Sequence, residues 1–322
     1  MIQARFHDWI LSILLSVMIG AYGMGNPKKR VLITGTTGLV GHRLFEYLKS
    51  FTDWEIIGTS RSSGEYVDHI VDLTNLDCVK ALSKSSPVDV IIHTAALSKT
   101  DECENNKEKC YAANVTATMN LRSTYRSTKF VYFSTYAVYN TPEGKCEETA
   151  PTSSTNYYIE TKLQSETLMK ATPGSVIFRP SVIFGFTMFE RVSKNYFMQL
   201  LESVNKKKVM RSPADQYFNP VHVDVVAEIT RRAIEQDATG IYNLGSNEMI
   251  SKYEFNKKIL QAFQFDSHFL ESTDSSSLVV TRPNNGTISS DKVQHTLNYR
   301  IPDLDQMIGI LYQSTSGHTL IS

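Results

Sequence analysis

The chain has 322 residues, and its 33 Lys+Arg balance 33 Asp+Glu for a formal net charge of 0. No global field therefore draws it toward nucleic acid or anionic lipid. The hydrophobic set is 41%, an ordinary globular share that excludes disordered, collagen-like and coiled-coil chains, and the length predicts one large or two modest domains.

In chain order, Trp9 to Gly25 (WILSILLSVMIGAYGMG) carries no charge. A signal peptide, a single-helix anchor and an upstream extension all fit so short an apolar run. We read residues 1–27 as an upstream extension that is no part of the folded unit, with Met24 near that unit's natural start; membrane contact follows only if the segment is retained. Arg30–Thr34 is a short β-branched run, and apolar residues at helical spacing follow from Leu39 to Lys49, so strand, turn and helix are predicted. Trp54–Thr59, Ile70–Leu73, Val88–His93 and Lys129–Ser134 are further strand-like runs separated by helix-length stretches. That alternation predicts an α/β fold with a doubly wound parallel sheet. After Val176–Phe178 the alternation loosens through a polar, aromatic-rich region to about Pro220, before a last strand-like run at Ile241–Leu244. The expected organisation is a nucleotide-binding unit over 28–184, with 220–245 adding to its sheet. A smaller discontinuous substrate lobe takes 185–219 and 246–322. Residues 140–156 are polar and long for a connection, with an active-site lid and a solvated surface loop as the alternatives.

Thr34-Gly35-Thr36-Thr37-Gly38-Leu39-Val40-Gly41 joins the first strand to the first helix. Glycines there permit the tight turn and close approach of a pyrophosphate to free helix N–H groups, which is the context of a dinucleotide site. The end of the second strand carries Ser60, Arg61 and Ser62 rather than an acid. A guanidinium flanked by hydroxyls suits a 2′-phosphate, so NADP(H) is expected, with NAD(H) as the alternative. Tyr158 and Lys162 stand four apart in a helical segment and share a face; an ammonium beside a phenol is expected to lower its pKa. Ser134 and Thr135 close the fifth strand at the edge where doubly wound sheets bind ligands. A hydroxyl there can bond a substrate carbonyl while Tyr158 protonates it. Cys78, Cys103, Cys110 and Cys146 form no C-x-x-C pair, so no metal site is expected, and reduced cytosolic thiols follow. His93 and His222 read as satisfied core histidines.

These motifs together resemble an extended short-chain dehydrogenase/reductase with a Rossmann domain, and within it most of all the dTDP-4-dehydrorhamnose reductase family. Carrying the resemblance beyond the glycine turn are His93-Thr94-Ala95-Ala96, Thr100-Asp101, Cys103-Glu104, Asn114, Asp215-Gln216, Asn219-Pro220-Val221, Val223 to Ala227, Gly240-Ile241-Tyr242, Tyr253-Glu254-Phe255, Arg282-Pro283-Asn284 and Ser290-Asp291-Lys292. The resemblance implies a triad of Thr135, Tyr158 and Lys162. It implies a cofactor groove that includes Asp72, Leu73, Thr94, Ala95 and Ala96, and substrate contacts at Thr135, Tyr136 and Gln216. It further implies cytoplasmic reduction of a nucleotide-linked 4-keto-6-deoxy sugar by NADPH, and admits a homodimer. Tyr136, Ile159 and Ser165 depart from the family's Asp, Gly and Gly. The Asp-Glu pair that 4,6-dehydratases place after the active-site Thr is Tyr136-Ala137 here, which disfavours dehydration. Two further readings share the motifs: a cofactor-binding regulatory subunit similar to methionine adenosyltransferase beta, and a nucleotide-sugar epimerase.

Overall fold

The structure, a computed structural model, describes residues 27–186, 196–277 and 284–315. Residues 1–26, and with them Met24 and most of the N-terminal extension, lie outside that description, as do Arg282 and Pro283. No helix among the described residues is long and apolar enough to cross a membrane.

Six strands, β1 (Arg30–Thr34), β2 (Glu55–Ser60), β3 (His69–Ile70), β4 (Val90–His93), β5 (Lys129–Phe133) and β6 (Val176–Pro180), join an edge strand at Gly240–Leu244 in one parallel sheet. The spatial order is edge strand, β6, β5, β4, β1, β2, β3. Register is set by pairs such as Val31 with Ile56 on one side and Val31 with Val90 on the other. The chain steps outward from β1 in both directions, so the order reverses between β1 and β4 and opens a crevice at their carboxyl ends.

The strands read as nearly continuous apolar runs because helices cover both faces. Side chains alternate between those faces. Val31, Ile33, Val90, Ile92, Val131 and Phe178 share one buried cluster with Leu44 and Leu48 of the helix Leu39–Phe51 and with Val226 of the helix Val223–Glu235. Leu32, Ile57, Ile91, Phe130 and Ile177 meet Val79, Leu121 and Met169 on the other. The ion pair between Arg43 Nε and Asp224 Oδ1, at 2.6 Å, ties the two helices of the first face together.

The strand expected at Ile70–Leu73 is shorter and earlier, at His69–Ile70. Asp72 Oδ1 accepts from both the amide and the hydroxyl of Thr74, turning the chain, and Asn75 Oδ1 accepts from Asp77 N to cap the next helix. Beyond β6 the chain makes three small pairings: Ile183–Phe184 with Val221–His222, Met210–Pro213 with Leu270–Thr273, and Tyr217–Phe218 with Ile250–Ser251. Phe184, Phe218 and Phe255 meet edge to face at 5.1 and 5.6 Å centroid separations and continue the first-face core.

The 140–156 segment is held down along its first half. Lys145 N donates to Thr287 Oγ1 at 2.7 Å, Cys146 N to Thr287 O at 3.0 Å, and Asn285 Nδ2 to Pro142 O at 3.1 Å. Of the two alternatives, a lid swinging from residue 140 does not fit these bonds. Asn285, which heads one N-x-T sequon, is bound into this clamp.

Candidate active site

The glycine turn is shaped by contacts a side chain would prevent. Gly35 has φ of 78°, its amide donates to Thr59 O, and a Cβ there would lie 2.9 Å from the backbone of Ala95. A Cβ on Gly41 would overlap the Gly35 carbonyl and stand 2.8 Å from Thr94 Oγ1. Gly38 leads into the helix Leu39–Phe51 with no side-chain cap, so the first-turn amides keep their donors for an anion.

Below this turn lies a cleft of ≈ 270 Å³. Its lining includes Gly35, Thr37 and Gly38 of the turn, Ser60 and Arg61 after the second strand, and Asp72, Leu73, Thr94, Ala95 and Ala96. Thr37 Oγ1 and Ser60 Oγ share a hydrogen bond of 2.7 Å across it. Ser62 is exposed and outside the lining. Leu39 and Val40 pack with Val223 and Ile183, so what they and Gly41 offer a pyrophosphate is backbone N–H rather than side chain. A narrow cleft, a side-chain-free turn and uncapped helix amides fit a dinucleotide. Asp72 combines the two roles open to it, shaping the turn before Asn75 while lining the cleft.

Tyr158 and Lys162 stand on the helix Tyr157–Lys170. Asn156 Oδ1 caps it by accepting from Ile159 N at 3.1 Å, and Glu104 accepts the Tyr157 amide. Thr135 follows Ser134 just past the end of β5, its Oγ1 accepts from Ala137 N at 3.2 Å, and its side chain acts on the Tyr158 phenol to lower its pKa. Lys162 is 3% exposed, with Nζ 4.3 Å from the centroid of the Tyr132 ring. The three sequence-chosen groups therefore converge at the carboxyl edge of the sheet.

The electrostatics differ from expectation at the phenol. Burial pushes the Tyr158 pKa up, Cys103 and Cys110 push it further, and Thr135 works the other way. Lys162 is too desolvated to reverse this: burial pulls its own pKa down to about 7, against opposing contributions from Glu166 and Cys110. A neutral phenol is the form that can give up a proton.

His93 is fully engaged. Thr34 Oγ1 lies 2.8 Å from Nδ1 and Thr118 Oγ1 3.1 Å from Nε2, while the Thr118 hydroxyl donates to Asn114 O. Ala95 N donates to Thr34 Oγ1. With the Thr118 proton committed, Nε2 carries the ring hydrogen and Nδ1 accepts from Thr34. Burial, then the Lys162 charge, holds the pKa of His93 down to about 3. His222 caps the helix Val223–Glu235 through Asp224 N.

Asn114 sits in a π-helical turn at Ala112–Thr116; its Oδ1 accepts from Leu97 N at 2.7 Å and its Nδ2 donates to Thr161 Oγ1 at 2.9 Å. Buried so, it is a structural residue. Ser165 Oγ donates to Asn114 O at 3.0 Å, and Ile159 fills a cluster with Val138, Tyr139 and Ile288. Both departures from the family pattern thus have packing roles.

On the substrate side, the ring of Tyr136 lies directly against Gly286, leaving no room for a Cβ there. Gly286 N donates to Tyr217 O. Gln216, next in the chain, is buried, and its Oε1 has no partner among the described residues. Gly286 was not singled out from sequence, and neither were Glu166 and Arg179, which form a buried ion pair at 2.6 Å behind the triad. A helix carrying Tyr158, Lys162 and Glu166 at i, i+4 and i+8 was the available signal.

The parallel sheet with its glycine cradle has the fold of the extended short-chain dehydrogenase/reductases. The chain belongs to the RmlD substrate binding domain family, whose model matches residues 29–315. It is 28% identical over 281 residues to "Methionine adenosyltransferase 2 subunit beta" of Danio rerio, covering 83% of this chain and 85% of that one. Its fold matches the crystal structure of dTDP-4-dehydrorhamnose reductase from Bacillus anthracis in complex with NADP, with a TM-score of 0.80 and 22% identity over 90% of this chain and all of that one. A hypothetical dTDP-4-dehydrorhamnose reductase from Sulfolobus tokodaii gives 0.76 and 26% over 86% and 98%.

Proposed function

We propose that this protein is an NADPH-dependent reductase of the C4 keto group of a nucleotide-linked 4-keto-6-deoxy sugar, with dTDP-4-dehydrorhamnose as substrate and dTDP-L-rhamnose as product. The observation that carries the reading is the placement of Thr135, just past the end of β5, beside Tyr158 and Lys162 of the helix Tyr157–Lys170, on the same parallel sheet whose glycine turn shapes the dinucleotide cleft. Bound in the cleft, NADPH would supply the hydride that reduces C4 of the sugar. The Thr135 hydroxyl orients the keto oxygen, and Tyr158, kept protonated by burial, donates its phenolic proton to that oxygen as charge develops on it. Lys162 holds the nicotinamide ribose hydroxyls. Arg61, at the end of the cleft, faces the 2′-phosphate and favours NADPH over NADH. Tyr136 and Gln216 contact the nucleotide sugar. Tyr136-Ala137 after Thr135 offer no second acid–base pair, which supports simple carbonyl reduction over elimination.

The test is incubation of purified protein with NADPH and dTDP-4-dehydro-6-deoxy-L-mannose, following loss of nicotinamide absorbance. The likeness to methionine adenosyltransferase beta subunits supports a second reading, a regulatory subunit that binds the cofactor without consuming it. Tight NADPH binding with no oxidation would favour that reading over reduction.

A further inference from the structure

Behind the triad lies a polar network that the reaction as described does not use. Glu166 is 0% exposed, and both its oxygens are taken. Oε1 accepts from Ser134 Oγ at 2.6 Å and from Arg179 Nε at 2.9 Å; Oε2 accepts from Arg179 Nη2 at 2.6 Å. Arg179, 1% exposed, extends from β6 and donates through Nη1 to Tyr139 OH at 2.7 Å; that hydroxyl donates in turn to Asn243 Oδ1 at 2.9 Å. Four parts of the chain meet here: the helix of Tyr158 and Lys162, the residue before Thr135, β6 and the edge strand.

Two consequences follow from placement alone. Ser134 and Thr135 are consecutive, so the Ser134–Glu166 bond fixes the end of β5 against the helix that carries the phenol, and with it the alcohol–phenol separation. Glu166 is also one helical turn from Lys162, and a carboxylate with no solvent around it acts on a neighbouring ammonium with little screening.

We infer that Glu166 is a positioning residue for this site, holding Thr135 and Tyr158 in register through Ser134 and keeping the Lys162 ammonium charged inside the protein. Its effect on turnover rests on the reductase reading; its effect on Lys162 does not. Burial works against the Glu166 carboxylate, but the Arg179, Ser134 and Lys170 side chains outweigh it and hold its pKa below the usual range. The groups around Lys162 are His93 from β4, Tyr132 from β5, Cys110 from the short helix Lys107–Tyr111, and Glu166 and Tyr158 from its own helix. His93 and Tyr132 stay neutral near pH 7; Glu166 is the carboxylate of that set, and of the groups that hold the Lys162 pKa up it acts most strongly, ahead of Cys110.

The experiment compares full-length wild type, Ser134→Ala and the paired variant Glu166→Gln/Arg179→Met, which avoids stranding a buried guanidinium. Three quantities are read: the NADPH dissociation constant, kcat for reduction, and the titration of the Lys162 resonance in protein labelled with ¹³C at the lysine ε-carbon, assigned with Lys162→Met. Ser134→Ala should bind NADPH within about twofold of wild type and lose roughly tenfold or more in kcat, because a small misplacement of reacting groups is costly. In the paired variant the Lys162 midpoint should fall by about one unit, while in Ser134→Ala it moves by no more than a few tenths. Wild-type kcat in Ser134→Ala, or an unmoved Lys162 titration in the folded paired variant, overturns the inference. If the paired variant does not fold, the Ser134→Ala kcat decides. If wild type does not turn over, the reductase reading fails and the Lys162 titration decides the role of Glu166 alone.

Discussion

The ammonium of Lys162 lies over the ring of Tyr132, 4.3 Å from its centroid, in a place water barely reaches. Its pKa is about 7 in the folded protein against 10.5 ordinarily. As pH rises through 7 the ammonium loses its proton, so kcat should fall above neutrality, approaching tenfold per unit. Stability runs the opposite way. Between 7 and 10.5 the unfolded chain holds a proton that the folded one does not, so stability grows with pH across that window, and the cost of burying the charge is fully present below it. Lys162→Met should therefore abolish turnover while raising Tm by roughly 2–4 °C at pH 6, a gain that vanishes toward pH 10. Calorimetry at the two pH values checks it.

Tyr158→Phe keeps the ring and removes the proton. It should lower kcat by about 10²–10³-fold and leave the NADPH dissociation constant within about twofold, read by steady-state kinetics and a fluorescence titration. Comparable turnover in the variant would eliminate Tyr158 as the donor.

Arg61 is an exposed side chain at the mouth of the cleft. Arg61→Ala should cost about tenfold or more in kcat/KM with NADPH and little with NADH, since one charge-assisted contact to a phosphate is lost. Equal losses with both cofactors would remove the 2′-phosphate from its neighbourhood.

A Cβ at Gly286 would come within 2.9 Å of Tyr136 Cδ2. Gly286→Ala must turn the Tyr136 ring aside, so KM for the nucleotide sugar should change by about fivefold or more while the NADPH dissociation constant stays put. An unchanged KM would take Tyr136 out of the substrate wall.

The sheet was legible from sequence because its strands are short apolar runs at βαβ spacing, and six of the seven have both ends within two residues of where those runs fall. The exception, at His69–Ile70, yields to side-chain hydrogen bonds from Asp72 and Asn75 that periodicity does not encode. That Tyr158 and Lys162 share a helix face, and that Ser134 and Thr135 stand at the end of the fifth strand, followed from spacing; the choice of Thr135 over Ser134 came from the family resemblance. The direction of the Tyr158 pKa did not, because proximity in sequence says nothing of how much water surrounds the pair. Glu166 and Arg179 are 13 residues apart on different elements, and a Glu on a helix otherwise reads as a solvated surface residue. Nothing in the sequence around Asn285 and Gly286 places them near the 140–156 segment or Tyr136; only the fold brings them against Pro142 and Tyr136.

The stretch from Asn284 to Ser290 touches Tyr136 beside the triad, Cys146 in the long connection, and Gly245 after the last strand. A nascent chain emerging from the ribosome could assemble the cradle for a dinucleotide from its first half. It could not close the surroundings of Tyr136 until nearly all of it had been translated, so the glycine cradle and the Tyr136 side of the cleft take shape at separate moments of synthesis.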